Sequence, residues 1–228
     1  MTKAFPLPAA ARLWRDCDTV LLDMDGTLLD LSFDNWFWRE AVPRWLARAT
    51  GGPAVEVRER LFAHFARKQG CLDWYCLDYW TRELGLDLRA LKEASSHRIR
   101  YLPGAREFLR EAQASGKRLV LVTNAHPHSL ALKMEKTRLA GHFDGIVCAH
   151  ALGSVKEQPE FWPRLREREP FDPAATLLVD DHLAILRAAG AFGIAHLVSV
   201  LRPDSTHPPK PPAEFPAIHD FSELLPVG

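Results

Sequence analysis

Cysteine is scarce, four in 228 residues, and Cys17, Cys71, Cys76 and Cys148 form neither a disulfide framework nor a CxxC or Cys/His metal spacing. They read as reduced thiols. Net charge is also lacking, because 29 Lys and Arg oppose 29 Asp and Glu. No overall field therefore draws the chain to a nucleic-acid polymer or an anionic membrane. No apolar run of about 18 residues occurs, and the start of the chain, with Pro6, Pro8 and Arg12, has no apolar signal-like segment. The expected compartment is the cytoplasm. There is no internal repeat. What is present is ordinary, 47% hydrophobic and 25% charged, which excludes collagen-like and disordered classes. At about 150 residues per domain, the length suggests one core plus a smaller insertion.

Short apolar runs at Thr19 to Leu22, Arg118 to Val122, Gly145 to Cys148, Thr176 to Val179 and His196 to Val200 read as buried parallel strands. Helical patterns separate them, at Gly104 to Ser115, Ser129 to Leu139, Phe161 to Arg168 and Leu183 to Phe192. Gly116, Gly141 and Gly193 lie where three of these helices should end in a left-handed residue. Alternation of this kind predicts an α/β fold, a doubly wound parallel sheet with right-handed crossovers.

After the first strand the rhythm breaks. Residues 31–100 are helical and aromatic in pattern, with Phe33, Trp36 and Phe37, then Trp45, then Leu61, Phe62 and Phe65, then Trp74 to Trp80. This predicts an all-helical cap of residues 31–100 inserted into a core made of residues 1–30 and 101–228. The insertion holds 12 Lys and Arg against 9 Asp and Glu, so it is slightly basic over a slightly acidic core. The Pro-rich stretch from Arg202 to Pro216 reads as irregular, and His219 to Leu225 as a return onto the core.

The sharpest signal is Asp23-Met24-Asp25-Gly26-Thr27 at the carboxyl end of the first strand, where open α/β sheets bind ligands. Asp23 and Asp25 point the same way in an extended segment, so they need a cation or a shared proton. Asp180 and Asp181 end the fourth strand. With strand order 3-2-1-4-5 the first and fourth strands are neighbours, which gathers four carboxylates at one edge. Hard oxygen donors without Cys or well-placed His suit Mg2+. Thr123-Asn124 closes the second strand at the same edge, where a hydroxyl and a backbone N–H suit phosphate oxygens. Lys156, placed before the helix that leads to the fourth strand, would balance that charge.

The set Asp23-x-Asp25-Gly26-Thr27, Thr123, Lys156 and Asp180-Asp181, in this order, resembles the haloacid dehalogenase superfamily, whose core has this strand order. Response-regulator receivers combine similar residues in a different order. Within the superfamily, residues 19–31 followed by Phe33-Asp34-Asn35, Trp74 to Trp80, and Thr123-Asn124-Ala125-His126-Pro127-His128 look like the bacterial GMP/IMP nucleotidase subgroup. Two departures stand out, Glu157 in place of a frequent Pro and Ile185 where many members carry another acid.

The resemblance implies that Asp23 is the nucleophile and Asp25 the acid and base. It implies that Thr123, the Asn124 N–H and Lys156 bind phosphate. Mg2+ is expected on Asp23, the Asp25 backbone carbonyl and Asp181, with Asp180 adjacent. The partner expected is a small-molecule phosphate ester, a purine mononucleotide. A phosphosugar phosphatase or phosphomutase is the rival enzyme, and a non-catalytic nucleotide-binding module the rival of another class. The cap aromatics Trp36, Trp74, Tyr75, Tyr79 and Trp80 divide between base platform and packing. Arg39, Arg44, Lys68 and Arg82 divide between a solvated face and ligand contact. Oligomeric state is left open.

Overall fold

The computed structural model describes residues 7–225; residues 1–6 and 226–228, at the two ends of the expected core, lie outside the described residues. Six parallel strands form one sheet in the order β3-β2-β1-β4-β5-β6. They are β1 Thr19–Leu22, β2 Arg118–Thr123, β3 Gly145–Cys148, β4 Thr176–Asp180, β5 His196–Val200 and β6 Ala217–Ile218. The predicted order of the first five is found. The sixth extends it beside β5, pairing Ser199 with Ala217 and Val200 with Ile218. Two residues are too short a run to carry a strand pattern.

The strands are buried on both faces, and their side chains alternate between two cores. Val20, Leu22, Leu119, Leu121, Leu177 and Val179 pack on one side with Trp14 and Phe108. Those residues come from α1 (Leu7–Asp16), which the sequence reading missed, and α8 (Ala105–Ala114). Leu21, Val120, Val122 and Leu178 face the other side and meet Phe161, Trp162 and Leu186.

The insertion contains only helices: α2 Ser32–Trp36, α3 Val42–Thr50, α4 Ala54–Lys68, α5 Leu72–Tyr75, α6 Leu77–Leu84 and α7 Leu88–Ala94, with a π turn at Phe37–Ala41 and a 3-10 turn at Ser96–Arg98. It has a core of its own around Phe37, Leu61, Phe65, Leu77, Trp80 and Leu88. Pro43 explains the π turn, because it cannot donate to the Arg39 carbonyl and its ring pushes that carbonyl away. The widened turn carries Trp38 and Arg39, which both line the cavity described below. Where the insertion leaves and rejoins the sheet the two passages lie together: Leu29 bridges Tyr101, and the Asp30 N–H donates to the Arg100 carbonyl at 2.9 Å.

The remaining helices are α9 Pro127–Thr137, α10 Ala149–Leu152, α11 Phe161–Arg168 and α12 Leu183–Phe192. Gly116 and Gly193 take the expected left-handed conformation, with φ of 74° and 110°. Gly141 does not. α9 starts earlier than the pattern predicts and ends at Arg138, which adopts φ 58° itself. The helix is set by its Pro127 start rather than by the distant glycine.

Candidate active site

Order reversal at β1, with β2 on one side and β4 on the other, leaves a crevice beyond the strand ends. All seven predicted site residues converge there. They line one cavity of about 520 Å3, within the size range of small-molecule sites. The cavity's opposite wall comes from the insertion and includes Trp38, Phe62, Phe65 and Trp74.

Lys156 is the centre of the core half, with 1% of its surface exposed. Its Nζ donates to Asp23 Oδ1 at 2.5 Å, Asp180 Oδ2 at 2.7 Å and the Val122 carbonyl at 3.0 Å. The loop that carries it is anchored by Trp162, whose Nε1 donates to the Lys156 carbonyl at 3.0 Å. Buried charges need such pairing. Despite burial, the Asp180 and Asp23 carboxylates hold the Lys156 ammonium above its ordinary range.

Each of the paired acids also has a lysine of its own. Asp23 has Lys156, and Asp25 has Lys133 of α9, whose Nζ is 2.6 Å from Asp25 Oδ1. Burial pushes Asp23 up to about 6 against the pull of Lys156, and pushes Asp25 up to about 6 against the pull of Lys133. Lys133 is raised to about 12, because Asp25 and Asp34 outweigh its burial. Nothing in the sequence reading pointed to Lys133. The available signal is its spacing on α9, on the face that turns toward the site.

Asp23, Asp180 and Asp181 offer carboxylate oxygens within 4.8 Å of one another, all three residues in the cavity wall. An all-oxygen donor set with all three of its carboxylates raised by burial fits a hard divalent cation. Asp180 is already engaged on both oxygens, by Lys156 and by the His182 N–H at 2.9 Å. Asp181 accepts from Lys210 at 2.9 Å, a residue delivered by the Pro-rich tail. Gly26 has φ 89°, and a Cβ there would lie 2.8 Å from Asp181 Cγ. The turn glycine thus leaves room for that carboxylate.

Thr123 Oγ1 accepts the Ala125 N–H at 3.0 Å, so its own proton remains for a ligand oxygen. Asn124 is held on both ends: Oδ1 accepts the Lys156 N–H at 3.0 Å and Nδ2 donates to Glu157 Oε2 at 2.8 Å. Glu157, the departure from the family pattern, also accepts from Tyr75 of the insertion at 2.6 Å. The substitution for proline therefore ties the insertion to the core. Tyr75 is held well above its usual range by burial and by the Glu157 charge, so it stays a donor.

Of the aromatics singled out, Trp80 is packing, 1% exposed and edge-on to Phe65 at 4.8 Å. Trp36 and Tyr79 lie off this cavity, whereas Trp74 and Tyr75 line it. Arg44 pairs with Glu40 and Lys68 with Asp73. Arg39 lines the cavity and has no ion pair among the described residues.

His126 both caps and lines. Its Nδ1 accepts the His128 N–H at 3.2 Å at the start of α9, and it borders the cavity. With Cys76 and His150 it forms a group whose ligand atoms lie within 4.8 Å of one another, a proximity that chain spacing conceals. Because Nδ1 is an acceptor, the His126 proton sits on Nε2, which faces Asp78 Oδ2 at 3.6 Å. In the same group Cys76 Sγ accepts the Tyr79 N–H at 3.4 Å, and His150 Nε2 is buried without a hydrogen-bond partner among the described residues.

Burial lowers His126 to about 4, with the Asp78 carboxylate opposing. Its folded value lies below the ordinary value of about 6.5. The stability tied to neutral His126 is therefore complete above that value and lost as pH falls toward 4. Relative to His126→Gln, the parent is expected to lose melting temperature as pH falls across this window; the difference between parallel thermal melts at stepped pH checks it.

Residues 17–193 match the model of the haloacid dehalogenase-like hydrolase family. The chain is 42% identical over 213 residues to the GMP/IMP nucleotidase YrfG of Escherichia coli (strain K12), covering 93% of this chain and 96% of that protein. It is 30% identical over 203 residues to a phosphoglycolate phosphatase of Nitrosospira multiformis, covering 83% and 82%. Among solved structures, a HAD phosphatase from Thermococcus onnurineus shares the fold, with a TM-score of 0.76 at 24% identity over 91% of this chain and 95% of that one.

Proposed function

The chain belongs to the haloacid dehalogenase-like hydrolases, and from that premise we propose that it is a Mg2+-dependent phosphatase of purine 5′-mononucleotides, GMP or IMP. The observation that carries the chemistry is the convergence of Asp23, Asp25, Thr123, Lys156 and Asp181 on one cavity. The purine reading is supported by the 42% identity to the nucleotidase across nearly both chains.

In this reading residues 31–100 are a cap over the core of residues 1–30 and 101–228. Asp23 attacks the phosphorus through Oδ2, since Oδ1 is held by Lys156. The bond to the leaving oxygen breaks while Asp25 gives that oxygen a proton. Asp25 then takes a proton from water as the water oxygen attacks the aspartyl-phosphate, releasing phosphate and free Asp23. A carboxyl raised to about 6 is suited to both halves. Thr123, the Asn124 N–H and Lys156 hold the phosphoryl oxygens. Mg2+ on Asp23, the Asp25 carbonyl and Asp181, with Asp180 beside it, would supply further charge neutralisation. The cap excludes water from the phosphoryl group, and Trp38 and Trp74, with Phe62 and Tyr75, are half-buried rings available to the base.

A panel of GMP, IMP, AMP, glucose 6-phosphate and phosphoglycolate tests this. The expected result is the highest kcat/KM on GMP or IMP, with loss on chelation and recovery with Mg2+. Preference for the sugar phosphate or phosphoglycolate would overturn the purine assignment. Tight nucleotide binding without phosphate release over long incubation would overturn the enzymatic one.

No helix among the described residues is long and apolar enough to cross a membrane.

A further inference from the structure

Three charged side chains beside the site play no part in the chemistry above, yet two of them are among the most thoroughly buried charges in the molecule and the third is largely enclosed between them. Lys133 of α9 and Lys92 of α7 are 1% and 3% exposed. Between them lies Asp34 of α2, which accepts from Lys133 at 2.6 Å through Oδ2 and from Lys92 at 2.7 Å through Oδ1. Lys133 also reaches Asp25 Oδ1 at 2.6 Å. The result is an alternating chain, Asp25–Lys133–Asp34–Lys92, that begins at the core's second carboxylate and ends inside the helical insertion. Burial of four charges for stability alone is a poor use of them, because well-packed apolar residues commonly serve as well or better.

The consequence for Asp25 is geometric. Its Oδ1 is occupied by Lys133, while Oδ2 has no protein partner among the described residues, and the residue lines the cavity. A carboxylate without the clamp is free to turn about its last torsion, which is broad for Asp. We propose that Lys133 is a positioning residue that pins Asp25 Oδ1 and so presents Oδ2 to the leaving oxygen, and that Asp34 of the cap completes the seat of Lys133. Orientation of Asp25 is then complete only when the cap is down, which couples closure to proton delivery without any cap residue touching the reacting atoms. This rests on the reading of Asp25 as the acid.

The test separates orientation from mere packing through the leaving group. A nucleoside or sugar alkoxide needs a proton to depart, whereas p-nitrophenolate leaves without one. The probes are p-nitrophenyl phosphate and the best alkyl phosphate of the panel above, and the readout is leaving-group release in a single turnover with enzyme in excess. That measurement reports transfer to Asp23 and not the later attack of water. Lys133→Met is expected to slow release of the alkyl leaving group by about 100-fold and of p-nitrophenolate by less than about 3-fold, the scale of general-acid effects.

If Lys133→Met fails to fold, the pair Asp34→Asn with Lys92→Met removes one charge of each sign and leaves the Lys133–Asp25 contact intact. It is expected to show the same selectivity at about 10-fold. Equal slowing of both substrates, or a rise in KM with unchanged release, overturns the proposal. Asp25→Asn is the control. If it is selective and the Lys133 variants are not, Asp25 is the acid and Lys133 only packs; if it is not selective either, the reading of Asp25 itself fails.

Discussion

Asp23→Asn is expected to lower phosphatase turnover by about 10^4-fold or more, the scale seen when a nucleophile is removed, or at least about 5 kcal/mol of transition-state stabilisation. The amide is nearly the same shape but cannot form the aspartyl-phosphate. Folding should survive, and the direction of the stability change follows from linkage. Asp23 is raised by burial from 3.8 to about 6, with Lys156 opposing. A carboxyl raised in the folded state contributes stability that is present below its unfolded value and lost as pH rises through the folded one. Ionised Asp23 therefore works against the metal-free fold above about pH 6. The variant should melt no lower than the parent at pH 8 with chelator present, and its advantage should vanish as pH falls from 6 toward 4. Turnover within tenfold of the parent would remove Asp23 from the mechanism.

Lys156→Met should damage both stability and rate. It strips the ammonium from two buried carboxylates and from the Val122 carbonyl. Breaking one partner of a buried ion pair costs about 3–5 kcal/mol, which for a chain of this size is a fall of roughly 6–20 °C in melting temperature. Loss of the positive charge beside the transferring phosphoryl group should lower kcat by about 10^2 to 10^3. Excess Mg2+ should restore part of the melting temperature, because a cation bound only by the folded state stabilises it. Adding Asp181→Asn should abolish that rescue. A Lys156→Met protein that melts like the parent and turns over normally would show that the ammonium is dispensable.

Much of the site was legible because its residues lie at strand ends, and strand ends are marked where apolar runs stop. Asp23, Thr123 and Asp180 each follow such a run, and a parallel sheet with β1 between β2 and β4 has no choice but to bring them together. Gly26 was equally readable, since the turn needs a residue free of Cβ; only the structure adds that the Cβ would strike Asp181. The helical insertion was visible as a change from short apolar runs to aromatic residues at helical spacing. Missed were α1, β6 and the tail residue Lys210, whose partners are remote in the chain. Gly141 misled because a glycine near a helix end is only one way to stop it; Arg138 does so here.

By itself the sequence determined the α/β class, the order of the first five strands and the edge at which the acids gather, because side-chain periodicity and crossover handedness act locally and leave few arrangements. It could not decide which cation meets which carboxylate. Lys133 and Lys156 look alike as isolated lysines, and either is ordinarily solvent-exposed; their burial against Asp25 and against Asp23 exists only once α9 and the loop before α11 are packed on the sheet. The same holds for Glu157 meeting Tyr75 and for Cys76 meeting His126 and His150. All of these contacts span dozens of residues, and the last two join the insertion to the core. Their geometry is set by how helices and loops pack on the sheet and, for the last two, by how two separately built hydrophobic cores face each other, relations that no local periodicity encodes.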